Sequence, residues 1–283
     1  VSSAGDFNGD GIDDVIVGAY FVDPLSRNDA GAAYILYGHT TATAFTDIDL
    51  NTLTSGATGR GMRIAGAGSG NACGVSVSGT GDVNNDGIDD VVVGCRYSDL
   101  LSRSNAGTAF IIYGKSSGLT NIDLASFASS GYGGRVLQGA VANDIFGLSV
   151  SAAGDVNGDG IADVVIGSRY ADPPGRGDAG ITYVVFGATA SSSTVVTTDM
   201  ASFVSGSSGF MILGAVAGDF SGYSVGGAGD VNADGFDDVI VGAANADPNS
   251  RDNAGTAYII YGHSTSSPYT NIDLATAAWG SDG

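Results

Sequence analysis

One nine-residue motif occurs four times at almost constant spacing, and that repetition limits the folds open to the chain more than any other feature. It reads DFNGDGIDD at 6–14, DVNNDGIDD at 82–90, DVNGDGIAD at 155–163 and DVNADGFDD at 230–238, with steps of 76, 73 and 75 residues. The flanks repeat as well. A short first strand precedes the second, third and fourth motifs, beginning at Gly74, Gly147 and Gly222. A run of Val and Ile follows each motif, at 15–17, 91–93, 164–166 and 239–241. A third strand comes next (33–37, 109–113, 182–186, 257–261), and a fourth closes the unit at 62–64, 135–137 and 211–213. Between third and fourth strands the tripeptide Ile-Asp-Leu stands at 48–50, 122–124 and 272–274.

Repetition at this period points to an array in which each unit cannot cover its own apolar faces and buries them on its neighbours. Four short antiparallel strands per unit is the blade pattern of a propeller. The expected fold is therefore all-β: a β-propeller of four four-stranded antiparallel blades in a single domain, 1–283. Blade limits fall near 1–67, 68–141, 142–216 and 217–283, the last lacking its outer strand. A closed four-bladed ring is favoured over an arc of a larger propeller; a β-solenoid or a row of sandwiches fits the repeat length less well. Four full units would take about 300 residues. About 17 are thus expected outside this chain, holding the last outer strand and the first half of the opening one.

Composition agrees. All 30 acidic residues are Asp, Lys occurs only at Lys115, and 47 residues are Gly. Asp, Gly, Ser and Asn favour turns, while the missing Glu and scarce Lys remove good helix formers. The net charge of −20 argues against nucleic acid and against an anionic membrane surface. No apolar run approaches the roughly 20 residues of a membrane helix. No secretion leader is visible, but Val1 falls in mid-strand, so a leader upstream could have been removed.

Each motif presents side-chain oxygens at positions 1, 3, 5 and 9 and a carbonyl at position 7. The candidate ligands are Asp6, Asn8, Asp10, Ile12 and Asp14; Asp82, Asn84, Asp86, Ile88 and Asp90; Asp155, Asn157, Asp159, Ile161 and Asp163; and Asp230, Asn232, Asp234, Phe236 and Asp238. Oxygen donors around a Gly at position 6 are the chemistry of calcium, as in the first half of an EF-hand loop. A plain Asp-Gly turn would not need four oxygens at odd positions. Four calcium ions are expected. Position 8 is Asp13, Asp89, Ala162 and Asp237, and its variation reads as a non-ligand facing outward.

The unit resembles the FG-GAP repeat of integrin α-subunit propellers. Phe146-Gly147 matches its Phe-Gly, and Cys73-Gly74 and Ser221-Gly222 keep only the Gly. The Gly-Ala-Pro element becomes Gly18-Ala19-Tyr20, Gly94-Cys95-Arg96, Gly167-Ser168-Arg169 and Gly242-Ala243-Ala244. The resemblance implies that the loops join first and second strands, bind calcium on one face, and leave the other face to partners. Family propellers usually have seven blades. The Ala- and Gly-rich, Glu-free chain looks bacterial rather than animal.

A second loop repeats Asp and Arg four residues apart, ending in Arg27, Arg103, Arg176 and Arg251. Those arginines could form a ring for carboxylate or sulfate opposite the calcium loops. An Asp–Arg bracket inside each loop is the favoured reading. Arg176-Gly177-Asp178 reads as a chance tripeptide. Cys73 and Cys95 would face each other if antiparallel partners keep a constant sum, which also pairs Val77 with Val91. A disulfide and an oxidising compartment fit; two free buried thiols are the alternative. No Ser-His-Asp, zinc or Glu signature is readable, and His39 and His263 occupy equivalent strand ends. The leading function is a calcium-rigidified extracellular or cell-surface adhesion module for a protein or glycan. A propeller domain of an extracellular hydrolase and a passive spacer are the alternatives.

Overall fold

A computed structural model describes residues 1–40, 47–55 and 59–277. Among them the regular elements are strands and short 3₁₀ turns. Short Val- and Ile-rich runs bounded by Gly and Asp favour pleated, half-buried backbone over helix. No helix is long and apolar enough to cross a membrane.

The first sheet joins β1 (Ser2–Gly5), β2 (Asp14–Ala19), β3 (Ala32–Leu36) and β4 (Gly61–Ala65) in antiparallel order. The second unit supplies β5 (Cys73–Gly81), β6 (Asp90–Cys95), β7 (Thr108–Ile112), β8 (Ile122–Asp123) and β9 (Gly134–Gln138). The third supplies β10 (Ser149–Gly154), β11 (Asp163–Ser168), β12 (Ile181–Val185), β13 (Val195–Asp199) and β14 (Gly209–Leu213). The fourth contributes β15 (Ser221–Gly229), β16 (Asp238–Ala243), β17 (Thr256–Ile260) and β18 (Ile272–Asp273).

The blades exchange strands, which a purely antiparallel reading does not anticipate. β8 belongs to the second unit but pairs parallel with β4 of the first, Ile64 opposite Ile122. β13 pairs with β9, and β18 with β14, in the same way. The result is four mixed sheets of five, five, five and three strands, a propeller-like stack. Ile48 and Asp49, the first unit's equivalents of β8, form no strand.

Successive sheets pack face to face. Ile16, Ile35, Met62 and Ile64 of the first sheet meet Val91, Val93, Phe110 and Ile112 of the second. Val92, Ile111 and Leu137 meet Val164, Ile166 and Tyr183. Val165, Val184, Phe210 and Ile212 meet Val239, Val241 and Ile260. Alternate strand residues point to opposite faces, so the middle sheets bury both. The fourth buries one: Ile240 and Ile259 stay 38% and 44% exposed. No sheet pairing or hydrogen bond among the described residues joins the fourth sheet back to the first; the described sheets run as a row, and the favoured closed ring is not found among them. The fourth sheet also shows no fourth strand among the described residues.

Inner strands β1, β5, β10 and β15 lie side by side in that order. Their approach is set by glycine. A Cβ at Gly18 would lie 2.0 Å from the Gly74 carbonyl oxygen, one at Gly94 2.0 Å from that of Gly147, and one at Gly167 2.1 Å from that of Gly222. The two glycine elements of the repeat are therefore two sides of one blade-to-blade contact.

Cys73 and Cys95 are disulfide-bonded and paired across β5 and β6. The constant-sum register fails beyond them: Val77 pairs with Val93, not Val91, because the register shifts between Cys73 and Ser76. Non-reducing mass measurement should show a two-hydrogen deficit, and Cys95→Ser should lower stability by about 3 kcal/mol on chain entropy; two alkylatable thiols in the native protein would contradict the bond. Gly94→Ala should cost at least about 1–3 kcal/mol through overpacking. A thermal or urea melt unchanged by that methyl would mean the sheets can separate without loss.

Candidate metal centre

The four Asp loops connect first to second strands: β1 to β2, β5 to β6, β10 to β11 and β15 to β16. The inner strands lie side by side along the row, so the loops line one face of it. In the first loop Asp6 accepts from Asp10 N–H at Oδ1 (2.9 Å) and from Gly11 N–H at Oδ2 (2.8 Å). Asn8 Oδ1 also accepts from Asp10 N–H (2.9 Å), and Asp10 Oδ1 accepts from Ile12 N–H (2.9 Å). The same four bonds recur around Asp82, Asn84 and Asp86, around Asp155, Asn157 and Asp159, and around Asp230, Asn232 and Asp234. Position 6 needs glycine: Gly11, Gly87, Gly160 and Gly235 have φ of 86°, 88°, 84° and 93°, which a side chain disfavours.

Position 9 differs from the others in burial. Asp14, Asp90, Asp163 and Asp238 are 1% exposed or less. Asp90 is held by Val83 and Gly114 N–H groups, Asp163 by Val156 and Gly187, and Asp238 by Val231 and Gly262. Asp14 accepts from Gly38 through Oδ1, while its buried Oδ2 has no partner. Burial pushes the Asp14 carboxyl up to about 6, and those of Asp90 and Asp163 up to about 8; the carboxylates at positions 1 and 5 add to the rise, and the N–H donors oppose it. Ionising such a group beside two like charges is costly without a cation.

Each loop thus carries oxygen donors at positions 1, 3 and 5 in one hydrogen-bond pattern and a buried carboxyl at position 9, with an orphaned oxygen in the first. That donor set suits a hard cation. The carboxylates are turned onto backbone N–H groups, however. No three acidic, His or Cys side chains among the described residues converge into a finished coordination sphere.

Position 8 is not idle. Asp89 Oδ2 accepts from Asp6 N–H of the preceding unit, and Asp237 Oδ2 from Asp155 N–H, both at 2.8 Å. These carboxylates tie one loop to the next, correcting the outward-facing expectation. His263 sits at a similar joint. Its N–H donates to Val156 O at 3.1 Å, as Lys115 N–H does to Phe7 O.

The repeated arginines form neither a ligand ring nor a bracket within each loop. Arg27 grips Asp123 of the next unit through both Nη atoms (2.6 and 2.7 Å) and also donates to Gly66 O. Arg103 grips Asp199 (2.5 and 2.7 Å) and Arg176 grips Asp273 (2.6 and 2.8 Å). Each partner is the Asp of an exchanged strand, and Arg176 is thereby committed to Asp273 and not to an adhesive tripeptide. Arg251 makes no such pair among the described residues; its Nε donates to Pro248 O. The clasp eluded sequence reading because its halves lie 96 or 97 residues apart. The near-constant separation was the available signal.

The Arg27 guanidinium holds the Asp123 carboxyl below its ordinary value. A depressed carboxyl contributes stability that is present above the unfolded value of about 3.9 and lost as pH falls through the folded one. Arg27→Met should therefore cost about 1 kcal/mol at pH 7, as for a good partly exposed pair. The difference from wild type should shrink below about pH 3. Equal losses at both pH values in urea titrations would assign the effect to packing.

The FG-GAP repeat model matches residues 1–36, 146–185 and 221–260, three of the four units. The chain is 30% identical over 198 residues to integrin alpha pat-2 of Caenorhabditis elegans, an alignment covering 66% of this chain and 13% of that protein. It is 34% identical over 100 residues to integrin alpha-E of Mus musculus, covering 34% of this chain and 8% of the relative. It is 28% identical over 202 residues to phosphatidylinositol-glycan-specific phospholipase D of Bos taurus, covering 70% and 22%. The chain spans only a small part of each.

Proposed function

We propose that this FG-GAP repeat domain, integrin alpha-like in its repeats, is a calcium-bound extracellular interaction module whose partner is a protein or glycan. The carrying observation is the fourfold recurrence of one Asp-rich loop with one hydrogen-bond pattern and a buried carboxyl at position 9. Calcium would be held by the position 1, 3, 5 and 9 side chains and the position 7 carbonyl of each motif, and would supply the positive charge those carboxylates lack. Four ions would bring the formal charge from −20 to about −12. The disulfide supports an oxidising compartment.

The ions would matter for stability more than for chemistry. Extracellular oxygen-ligand sites bind calcium at about 10⁻⁴ to 10⁻³ M. At 10 mM calcium and a Kd of about 10⁻⁴ M, linkage supplies roughly 2.7 kcal/mol per site. Four sites approach about 10 kcal/mol, comparable to the whole stability of an ordinary domain.

Metal analysis after calcium dialysis should give four ions per chain, with one lost in Asp10→Ala. Chelation should lower the melting temperature by tens of degrees, with no rescue by magnesium. Fewer than three ions, or a melt indifferent to chelator, would leave the loops as turns. The phospholipase D match favours a second reading, in which the same module is carried by a hydrolase. A chain that binds calcium but hydrolyses nothing alone is compatible with both; activity appearing only when it is joined to a catalytic domain would favour the second.

A further inference from the structure

Ten basic residues serve a chain with thirty Asp, and three of them are spent on the clasps. Arg96 and Arg169 are not. They occupy one repeat position, directly after β6 and β11, where the first and fourth units have Tyr20 and Ala244. The Asp loops precede these same strands, so the two arginines stand on the opposite face of the row. Neither has a carboxylate partner among the described residues, and the Nε of each is buried with no acceptor.

Both lie on aromatic faces. Arg96 Cζ is 5.3 Å from the Tyr20 ring centroid and 4.6 Å from that of Tyr97. Arg169 Cζ is 4.5 Å from Tyr170 and 5.0 Å from Tyr223, and its Nη2 donates to Tyr170 Oη at 3.0 Å. The contacts cross blade boundaries, Tyr20 belonging to the first unit and Tyr223 to the fourth. Tyr20, Phe21 and Tyr223 are 37%, 61% and 47% exposed.

Stacking engages the face of a guanidinium; with Nε buried, the in-plane Nη donors are what remain for a planar or tetrahedral oxyanion, one Nη of Arg169 being shared with Tyr170 Oη. Aromatic walls also remove water from that pair, which strengthens charge-assisted bonds. The two arginines are equivalent positions of adjacent units, Arg96 stacked on a ring of the preceding unit and Arg169 on one of the following unit, so this face carries two ring-stacked guanidiniums. The matching ligand carries acidic groups and apolar ring faces. We infer that this face of the row binds an acidic saccharide through Arg96 and Arg169, with carboxylate or sulfate as the recognised group. The inference rests on the module reading but not on the calcium loops. The overall negative charge repels polyanions at long range, so binding is short-ranged and confined to this patch.

The test is calorimetric titration of the full chain in calcium with a hyaluronan hexasaccharide, a heparin hexasaccharide and neutral maltohexaose. The first two separate carboxylate from sulfate. At least one acidic oligomer should bind, and Arg96→Gln/Arg169→Gln should weaken it at least about tenfold with the melting temperature held. Arg96→Lys/Arg169→Lys keeps the stacked charge but not the fork, and should fall between. No binding of either acidic oligomer at about 10 mM, equal binding of maltohexaose, or binding untouched in a folded double variant would each overturn the inference. In those cases calcium uptake, or capture of a neutral glycan by the double variant, would show that the module reading stands without it.

Discussion

The closeness of one blade to the next is the constraint on which the rest of the structure depends. At Gly18, Gly94 and Gly167 the backbone approaches a carbonyl of the following unit so closely that no Cβ fits. That approach places the sheets within van der Waals reach, and the apolar faces then bury each other at close-packed density. The exchanged strands β8, β13 and β18 and the arginine clasps on their aspartates act at the outer edge. Each unit is thus held to its predecessor at the axis, across the sheet face and at the rim.

Such a scheme makes stability a matter of neighbours. A sheet with neighbours on both sides, like the second, buries Val91, Val92 and Val93 alike; the fourth, with one, leaves Ile240 exposed. Nearest-neighbour coupling is the general behaviour of repeat arrays. Here it is supplemented by polar ties, Asp89 to the loop of the first unit and Asp237 to that of the third, so the Asp loops are mechanically part of the blade contact. The middle pair of loops lacks a carboxylate tie, since position 8 of the third motif is Ala162.

Aspartate serves four distinct ends in this chain. It closes the loops at positions 1 and 5, fills a buried bracket at position 9, links adjacent loops at position 8, and answers arginine at the rim. Its short side chain suits the first, where the carboxylate accepts from N–H groups two to five residues on; the other three reach across strands or units. Glutamate, with one more rotatable bond, would lose more freedom in each.

The sequence by itself determined the repeat, the strand order within a unit, the Asp loops with their glycine at position 6, and the Cys73–Cys95 pairing. The Asp loops and the cysteine hairpin are local, written within one turn or one strand pair, and the rest is legible because the same local pattern recurs along the chain. Tertiary structure alone decided what crosses from unit to unit. Ile122 and Asp123 read as an unremarkable dipeptide until β4 offers an edge, Arg27 reads as a loop residue until Asp123 arrives, and Val77 slips to Val93 because a bulge intervenes. The burial of the sheet faces is of the same kind. Alternating Val and Ile say that both faces of a sheet are apolar, but only the packed structure decides which face has a neighbour, since burial depends on what else occupies the space and not on the strand's own pattern.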